Sequence, residues 1–142
     1  MKPSVYIMPI TPLDRPPNKL ISKIARSFYF AIAGVWYLLR TQRNARVESL
    51  IGVLACGMGA WLRISRVEWA IIVFTIALVL ILEGLNTAIE CAIDLASPEI
   101  HPLAKAAKDL AAGMVLIASI ASVAVGFLIL GPPLIHKICI TP

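Results

Sequence analysis

A fourteen-residue apolar segment leads directly into a row of acidic side chains, which starts where a membrane-length helix would be leaving the bilayer core. Of the fourteen residues 69–82, only Thr75 is not hydrophobic. Four polar residues then recur at steps of three and four, a spacing that places them on one face of a helix: Glu83, Asn86, Glu90 and Asp94. Because one charge in a membrane helix costs about 2.5–3.5 kcal/mol on insertion scales, this acidic row indicates a functional site facing protein or water.

The composition supports a membrane protein. At 142 residues, with 59% hydrophobic residues and a mean hydropathy of +0.86, the chain is far more apolar than a soluble domain. Its formal net charge is +5, but the basic residues flank apolar segments and form no patch interleaved with base-stacking aromatics. Nucleic acid is therefore not an expected partner. Anionic lipid headgroups and an anionic substrate such as a nucleotide are favoured instead.

The first forty residues predict a tail followed by a surface helix. Residues 1–18 contain five prolines and no apolar core typical of a signal peptide, so we expect a mobile tail. Residues 19–40 show a helical pattern whose apolar run is twelve residues long. Such a run is about 18 Å of helix, too short for a hydrocarbon core of about 30 Å. Its basic and aromatic flanks favour an amphipathic helix in the membrane interface, with a spanning helix as the alternative.

Three later segments are predicted to span the membrane: residues 49–62, a helix that runs from Trp69 into the acidic row, and residues 110–130. The turn at 65–68 is short enough only for a hairpin of antiparallel helices. A break is expected at 97–101 because Pro98 disfavours helical geometry at the residue before it, and Pro102 can start the next helix. The sequence Gly131-Pro132-Pro133 is predicted to end the third span.

Small residues within these segments predict close helix packing where lipid offers no hydrophobic driving force. They are Gly52, Gly57, Gly59 and Ala60 in the first span, and Ala118, Ser122 and Gly126 in the third. The three cysteines match no metal-binding spacing and are predicted to be buried, unreactive fillers: Cys56, Cys91 and Cys139.

The distribution of basic residues predicts the orientation. Ten of the thirteen lysines and arginines precede Val47 or lie in the second loop, against three in the first loop and at the carboxyl terminus. By the positive-inside rule, the amino terminus and the second loop are cytoplasmic and the protein is a multi-pass protein of the plasma (inner) membrane. The acidic row then opens where ATP is found.

The acidic row, together with Lys108 and Asp109, contains the groups that phosphoryl transfer needs. Carboxylates bind magnesium or accept a proton, and a lysine neutralises phosphate charge. The sequence has no glycine-rich loop of the P-loop or protein-kinase type. A proton or cation pathway fits the same spacing equally well, so spacing alone leaves both open.

Two motifs resemble a known family. The sequence EGLNTAIE at 83–90, followed by Asp94 and by EIHPLAKAAKDLAAG at 99–113, resembles the signature of the prokaryotic diacylglycerol kinase family, which includes undecaprenol kinases. The resemblance extends from Lys23 to Leu130. It implies an all-α membrane protein with an amino-terminal amphipathic surface helix and three transmembrane helices, assembled as a homotrimer with sites shared between subunits. Residues 19–135 would form the kinase domain, between the tail 1–18 and a short tail at 136–142.

The resemblance also implies roles for matching residues. Glu83 matches the general base that deprotonates the lipid hydroxyl, with Asn86 as a supporting amide, and Glu90 matches the glutamate that binds magnesium and meets the nucleotide phosphates. Asp94 either supports the site or orients a basic neighbour, and His101 either binds nucleotide or caps a helix. The implied nucleotide contacts are Gln42, Glu90, Glu99, Ile100, His101, Lys108 and Asp109, and the implied lipid contacts are Glu83, Ala112 and Lys23.

Two positions depart from the family pattern. Gln42 stands where many members have a metal-ligating glutamate, and its neutral amide oxygen is a poorer magnesium ligand than a carboxylate. Metal binding is therefore expected to depend on Glu90, ATP and water. Lys23 stands where some members have an arginine, which keeps the charge but not the bidentate geometry.

The function implied by the resemblance is phosphorylation of a membrane lipid's primary hydroxyl with ATP and Mg²⁺, converting diacylglycerol to phosphatidic acid. Undecaprenol is the alternative substrate, since both lipids present a primary hydroxyl at the interface. The alternatives from other classes are a small cation or proton transporter and a non-catalytic membrane scaffold.

Overall fold

The described part of the chain is almost entirely helical. The computed structural model describes residues 20–96 and 101–139 and contains there four α-helices and no strand: α1 (Leu20–Thr41), α2 (Arg43–Leu62), α3 (Arg66–Ala96) and α4 (Pro102–Cys139). This confirms the predicted all-α class. The chain divides into two units, one ending at Gly34 and the other beginning at Val35. The predicted tail at 1–18 lies outside the described residues.

Within the first unit, α1 carries aromatic and basic side chains side by side. Tyr29 and Phe30 meet edge to face with ring centroids 5.7 Å apart, and the Arg26 guanidinium lies 5.8 Å from the Phe30 ring centroid. Such pairs suit a membrane interface, where a ring can keep one end in water. α1 is not among the described helices that are long and apolar enough to cross a membrane. Its location in the interface stays a prediction.

Three helices are long and apolar enough to span a membrane: α2, α3 and α4. The predicted start of the first span was wrong, because α2 begins at Arg43 and not at Ser49. Its first turns contain Arg43, Arg46 and Glu48, and arginine and glutamate are good helix formers, so the helix continues where the apolar run does not. This extension carries Glu48 into the helix bundle.

The turn between α2 and α3 is closed by local hydrogen bonds. Arg63 adopts a left-handed conformation with φ 57°, and the Ile64 N–H donates to the Gly59 carbonyl at 3.2 Å. Ser65 and Glu68 form a reciprocal capping box, in which each backbone N–H donates to the other's side-chain oxygen, at 2.6 Å and 3.3 Å. The predicted tight hairpin is thereby confirmed.

The prediction that Gly131-Pro132-Pro133 ends the last span was wrong, because α4 continues through both prolines to Cys139. Each proline removes one donor, yet membrane helices tolerate this where local adjustment satisfies the freed carbonyls. Gly131 also has no Cβ to clash with the ring of Pro132. The start of α4 at Pro102 agrees with the prediction. The expected break lies partly outside the described residues, since 97–100 are not described.

The bundle packs α3 between its neighbours. Ile72 of α3 forms a buried cluster with Ile129 and Leu130 of α4. At this end of the bundle, the Lys137 ammonium donates to the Trp61 carbonyl at 2.9 Å and lies 4.4 Å from the Trp61 ring centroid, which ties α4 to the end of α2.

The predicted small-residue contacts are confirmed in part. Gly52 and Gly59 are buried, and Ala118 is 9% exposed. Gly57 and Gly126 face open space, so close packing was a wrong prediction for them.

The cysteine prediction was correct only in that all three are free thiols. Cys56 is half-buried, whereas Cys91 and Cys139 are exposed on the chain, so burial was wrong for these two. Both lie on helices that also expose large apolar side chains, such as Phe74 and Phe127. A small apolar thiol suits such a surface as well as it suits a core.

Replacement of Gly52 by valine is expected to destabilise the bundle by about 1–3 kcal/mol, the usual cost of overpacking. A Cβ on Gly52 would lie 3.0 Å from Cγ2 of Ile76, a branched atom that cannot turn away cheaply. Gly57→Val is the matched control, because nothing lies within 4 Å of a Cβ there. Thermal unfolding in detergent micelles measures both, and equal melting temperatures would show that the α2–α3 contact is not tight.

Candidate functional site

The acidic row forms a continuous polar face on the second half of α3. Glu83 is only 2% exposed and Thr87 5%, while the Thr87 hydroxyl donates to the Glu83 carbonyl at 2.9 Å. One turn apart, Asn86 Nδ2 donates to Glu90 Oε1 at 3.1 Å. The spacing of four residues brings these side chains together, as the sequence predicted.

An ion pair connects this face to α4. The Lys108 ammonium binds the Asp94 carboxylate, fourteen residues earlier in the chain. Asp94 lies one turn beyond Glu90, so Lys108 is brought to the end of the acidic row. Of the two predicted roles for Asp94, this ion pair agrees with orientation of a basic neighbour, and a role in the site itself stays a prediction.

Asp109, the neighbour of Lys108, pairs with a different residue. Its carboxylate lies 3.5 Å from the Lys105 ammonium, and both side chains are largely exposed. Lys108 and Asp109 therefore have different partners, although the resemblance implied that both contact the nucleotide. Their roles in nucleotide binding stay predictions.

Sequence reasoning missed one acidic residue of this site. Glu48 of α2 is half-buried, and its Oε1 accepts a hydrogen bond from the Ser119 hydroxyl of α4 at 3.3 Å. The span was predicted to begin one residue later, so Glu48 was treated as flanking sequence. The available signal was a lone acid among arginines, directly before an apolar run, on the side that the basic residues predict to be cytoplasmic.

Two buried oxygen atoms near this face accept no hydrogen bond from any described residue: Glu48 Oε2 and Asn86 Oδ1. Leaving such an atom unpaired costs about 1–3 kcal/mol. Native proteins rarely leave such atoms unpaired, so each is expected to meet a water, an ion or another ligand.

The acidic residues fit a magnesium ion that completes its shell with nucleotide. Within residues 20–96 and 101–139, no group of three or more His, Cys, Asp or Glu side chains is arranged to hold a metal alone. Magnesium commonly takes only one or two protein ligands together with phosphate oxygens and water. The Glu90 carboxylate and the unpaired Asn86 Oδ1 are hard oxygen ligands of this kind.

The remaining predicted residues are less closely joined to the site. Gln42 is the N-cap of α2, half-buried and without a side-chain capping bond, so its metal role stays untested. Ala112 is exposed on α4, and Lys23 lies in the first unit. His101 accepts a hydrogen bond at Nδ1 from the Leu103 N–H at 3.2 Å, as a residue that caps α4 does, and its role in nucleotide binding stays a prediction. Glu99 and Ile100 lie outside the described residues.

The end of α1 lies beside α3. Leu38 Cδ2 would be 3.6 Å from a Cβ on Gly84, directly after Glu83. Further along, Cys91 raises the pKa of the Tyr37 phenol, through like charge on its thiolate first and burial second. These contacts place the last turn of α1 next to the helix that carries the acidic row.

Comparison with known proteins identifies the family. Residues 29–130, more than half of the chain, match the family model described as prokaryotic diacylglycerol kinase. The chain belongs to this family. A diacylglycerol kinase of Synechocystis is 45% identical over 120 residues, which cover 84% of this chain and 66% of that protein. An undecaprenol kinase of Bacillus subtilis is 41% identical over 116 residues, covering 80% of this chain and 93% of the relative.

A third relative is a diacylglycerol kinase of Escherichia coli, 36% identical over 78 residues that cover 55% of this chain and 64% of that protein. The chain thus spans slightly less than two thirds of the length of the Synechocystis and Escherichia coli proteins it matches. The family and these names indicate a lipid kinase, a class that uses a lipid substrate and ATP. The predicted family is confirmed, and nothing in the comparisons favours a transporter.

Proposed function

We propose that this protein transfers the γ-phosphate of ATP to the primary hydroxyl of diacylglycerol in the membrane, forming phosphatidic acid. The observation that carries this proposal is the polar face of α3, which begins at the buried Glu83 and ends at Asp94 with its ion pair to Lys108. Glu48 of α2, hydrogen-bonded to Ser119, is proposed to stand with Glu83 at the lipid end of this face. The carboxylates at one end can accept the proton of the lipid hydroxyl, and the lysine at the other end can neutralise charge on the triphosphate.

Glu83 is the base in this proposal. As the lipid oxygen forms its bond to the γ-phosphorus, the hydroxyl proton passes to the Glu83 carboxylate and the bond from the γ-phosphorus to the β–γ bridging oxygen breaks, so that ADP leaves. Glu83 is nearly inaccessible to solvent, which keeps water from competing with the lipid hydroxyl. Catalysis consists mainly of positioning and charge neutralisation, as is general for phosphoryl transfer.

The nucleotide occupies the other end of the acidic row. Glu90 and Asn86 would hold magnesium, which neutralises charge on the triphosphate when bound. Lys108 would exchange Asp94 for a phosphate oxygen, since a lysine binds either anion as a point charge. Gln42, Asp109 and the 99–101 loop are proposed to complete the nucleotide contacts.

The orientation of the protein in the membrane and its oligomeric state are also proposed. The excess of basic residues before Val47 and around Lys105 supports a site on the cytoplasmic side of the inner membrane. Family membership and the extensive apolar surfaces of α2, α3 and α4 support a homotrimer with shared sites.

A lipid panel tests this function. Purified protein in mixed micelles is given Mg²⁺, radiolabelled ATP and either short-chain diacylglycerol or a polyprenol, and labelled lipid is extracted and counted. Undecaprenol is the second candidate, because the Bacillus subtilis relative is matched over nearly its whole length. We expect diacylglycerol to be labelled faster in direct competition. Faster labelling of the polyprenol would show that the polyprenol, and not diacylglycerol, is the preferred substrate. No labelled lipid from either would refute the kinase proposal.

A further inference from the structure

The Ser119 hydroxyl makes a hydrogen bond of an unusual kind for this protein. Five other serine and threonine hydroxyls of the described helices donate to a carbonyl of their own helix three or four residues earlier: Ser27, Thr41, Thr75, Thr87 and Ser122. Ser119 instead reaches from α4 to the Glu48 carboxylate on α2. A hydrogen bond between helices has to be formed by specific partners, so its target is informative.

The target is one of the two carboxylates proposed to meet the lipid. Glu48 Oε1 accepts from Ser119 at 3.3 Å, while Oε2 is buried and accepts nothing from the described residues. Glu48 has three rotatable side-chain bonds, so its carboxylate is otherwise free to turn toward Arg43 or Arg46 earlier on α2, or toward water and lipid headgroups. A bond to Ser119 opposes that movement.

We propose that Ser119 is a positioning residue for lipid phosphorylation. Its hydroxyl holds Oε1 of Glu48 so that Oε2 stays inside the site beside Glu83, where the hydroxyl-bearing headgroup of the lipid binds. The inference rests on the proposed lipid kinase function. Glu48 and Ser119 also line one partly open groove of about 140 Å³ between α2, α3 and α4, so the held carboxylate faces open space and not closely packed side chains.

The test compares Ser119→Ala with Ser122→Ala in the full-length protein. Ser122 lies on the same helix and lines the same groove, but its hydroxyl donates to the Ser119 carbonyl at 2.8 Å and so stays on its own helix. A hydrogen bond to a charged group is worth about a tenfold effect or more. Ser119→Ala is therefore expected to lower kcat/KM for diacylglycerol about tenfold with the KM for ATP unchanged, while Ser122→Ala keeps the wild-type values.

Two further variants separate positioning from folding. Ser119→Thr keeps a hydroxyl and is expected to restore most of the activity, and Ser119→Ala is expected to add little to the defect of Glu48→Gln, because the two residues act through one contact. Melting temperatures are measured for all variants. Equal kinetics of Ser119→Ala and Ser122→Ala, or additive effects with Glu48→Gln, would overturn the inference. Absence of lipid phosphorylation in the wild-type protein would instead refute the underlying function.

Discussion

Glu83→Gln is expected to reduce lipid phosphorylation by about 10²–10⁴-fold, the usual contribution of a general base. Glutamine has nearly the same shape, so the packing around this buried side chain is retained while the proton acceptor is lost. The KM for ATP is expected to change little, because the nucleotide contacts lie further along α3. Initial rates of labelled lipid formation, with ATP and lipid varied in turn, measure the effect.

The matched control for this substitution is Glu68→Gln on the same helix. It removes the same charge at the opposite end of α3, where glutamine can still take part in the capping box with Ser65. Wild-type activity is expected. If Glu83→Gln retained the full rate, Glu83 would not be the base, and the lipid hydroxyl would have to lose its proton elsewhere.

Lys108→Ala is expected to lower kcat/KM for ATP by about 10- to 100-fold, the range for losing a hydrogen bond between charged groups. Lys108 is the cation that the fold brings to the end of the acidic row, through its ion pair with Asp94. Its removal leaves the γ-phosphate charge less neutralised and Asp94 without a partner. Varying ATP at saturating lipid measures the change.

Lys105→Ala provides the comparison. Lys105 is also a lysine of α4, but its side chain is 77% exposed and its ion pair with Asp109 joins residues of one helix turn, which contributes little. We expect an effect of less than threefold, in the range of a surface salt bridge. A larger loss from Lys105→Ala than from Lys108→Ala would move the nucleotide to the outer face of α4.

The helices and the acidic row could be predicted because both follow from short-range patterns. The spacing of Glu83, Asn86 and Glu90 is fixed by the pitch of one helix, so knowing that the segment is helical already brings them together. The start of α4 at Pro102 and the Ser65–Glu68 turn likewise depend on neighbouring residues alone.

The contacts between helices could not be predicted in the same way. Whether Ser119 faces Glu48 depends on the rotation of α4 against α2, which packing of the whole bundle determines. The continuation of α4 beyond Pro133 was missed because a proline rule derived from soluble helices was applied to a membrane helix. Glu48 was missed because the predicted span began with the apolar run at Ser49, whereas α2 begins earlier, at Arg43.

The central claim is that a phosphoryl group is transferred directly from ATP to a membrane alcohol at one carboxylate-lined face of α3. The most direct measurement follows ADP and phosphorylated diacylglycerol together, in mixed micelles with Mg²⁺ and γ-labelled ATP. The account predicts one labelled lipid for each ADP formed, with both reactions lost in Glu83→Gln. Formation of ADP without labelled lipid, or labelled lipid at the wild-type rate in that variant, would contradict it.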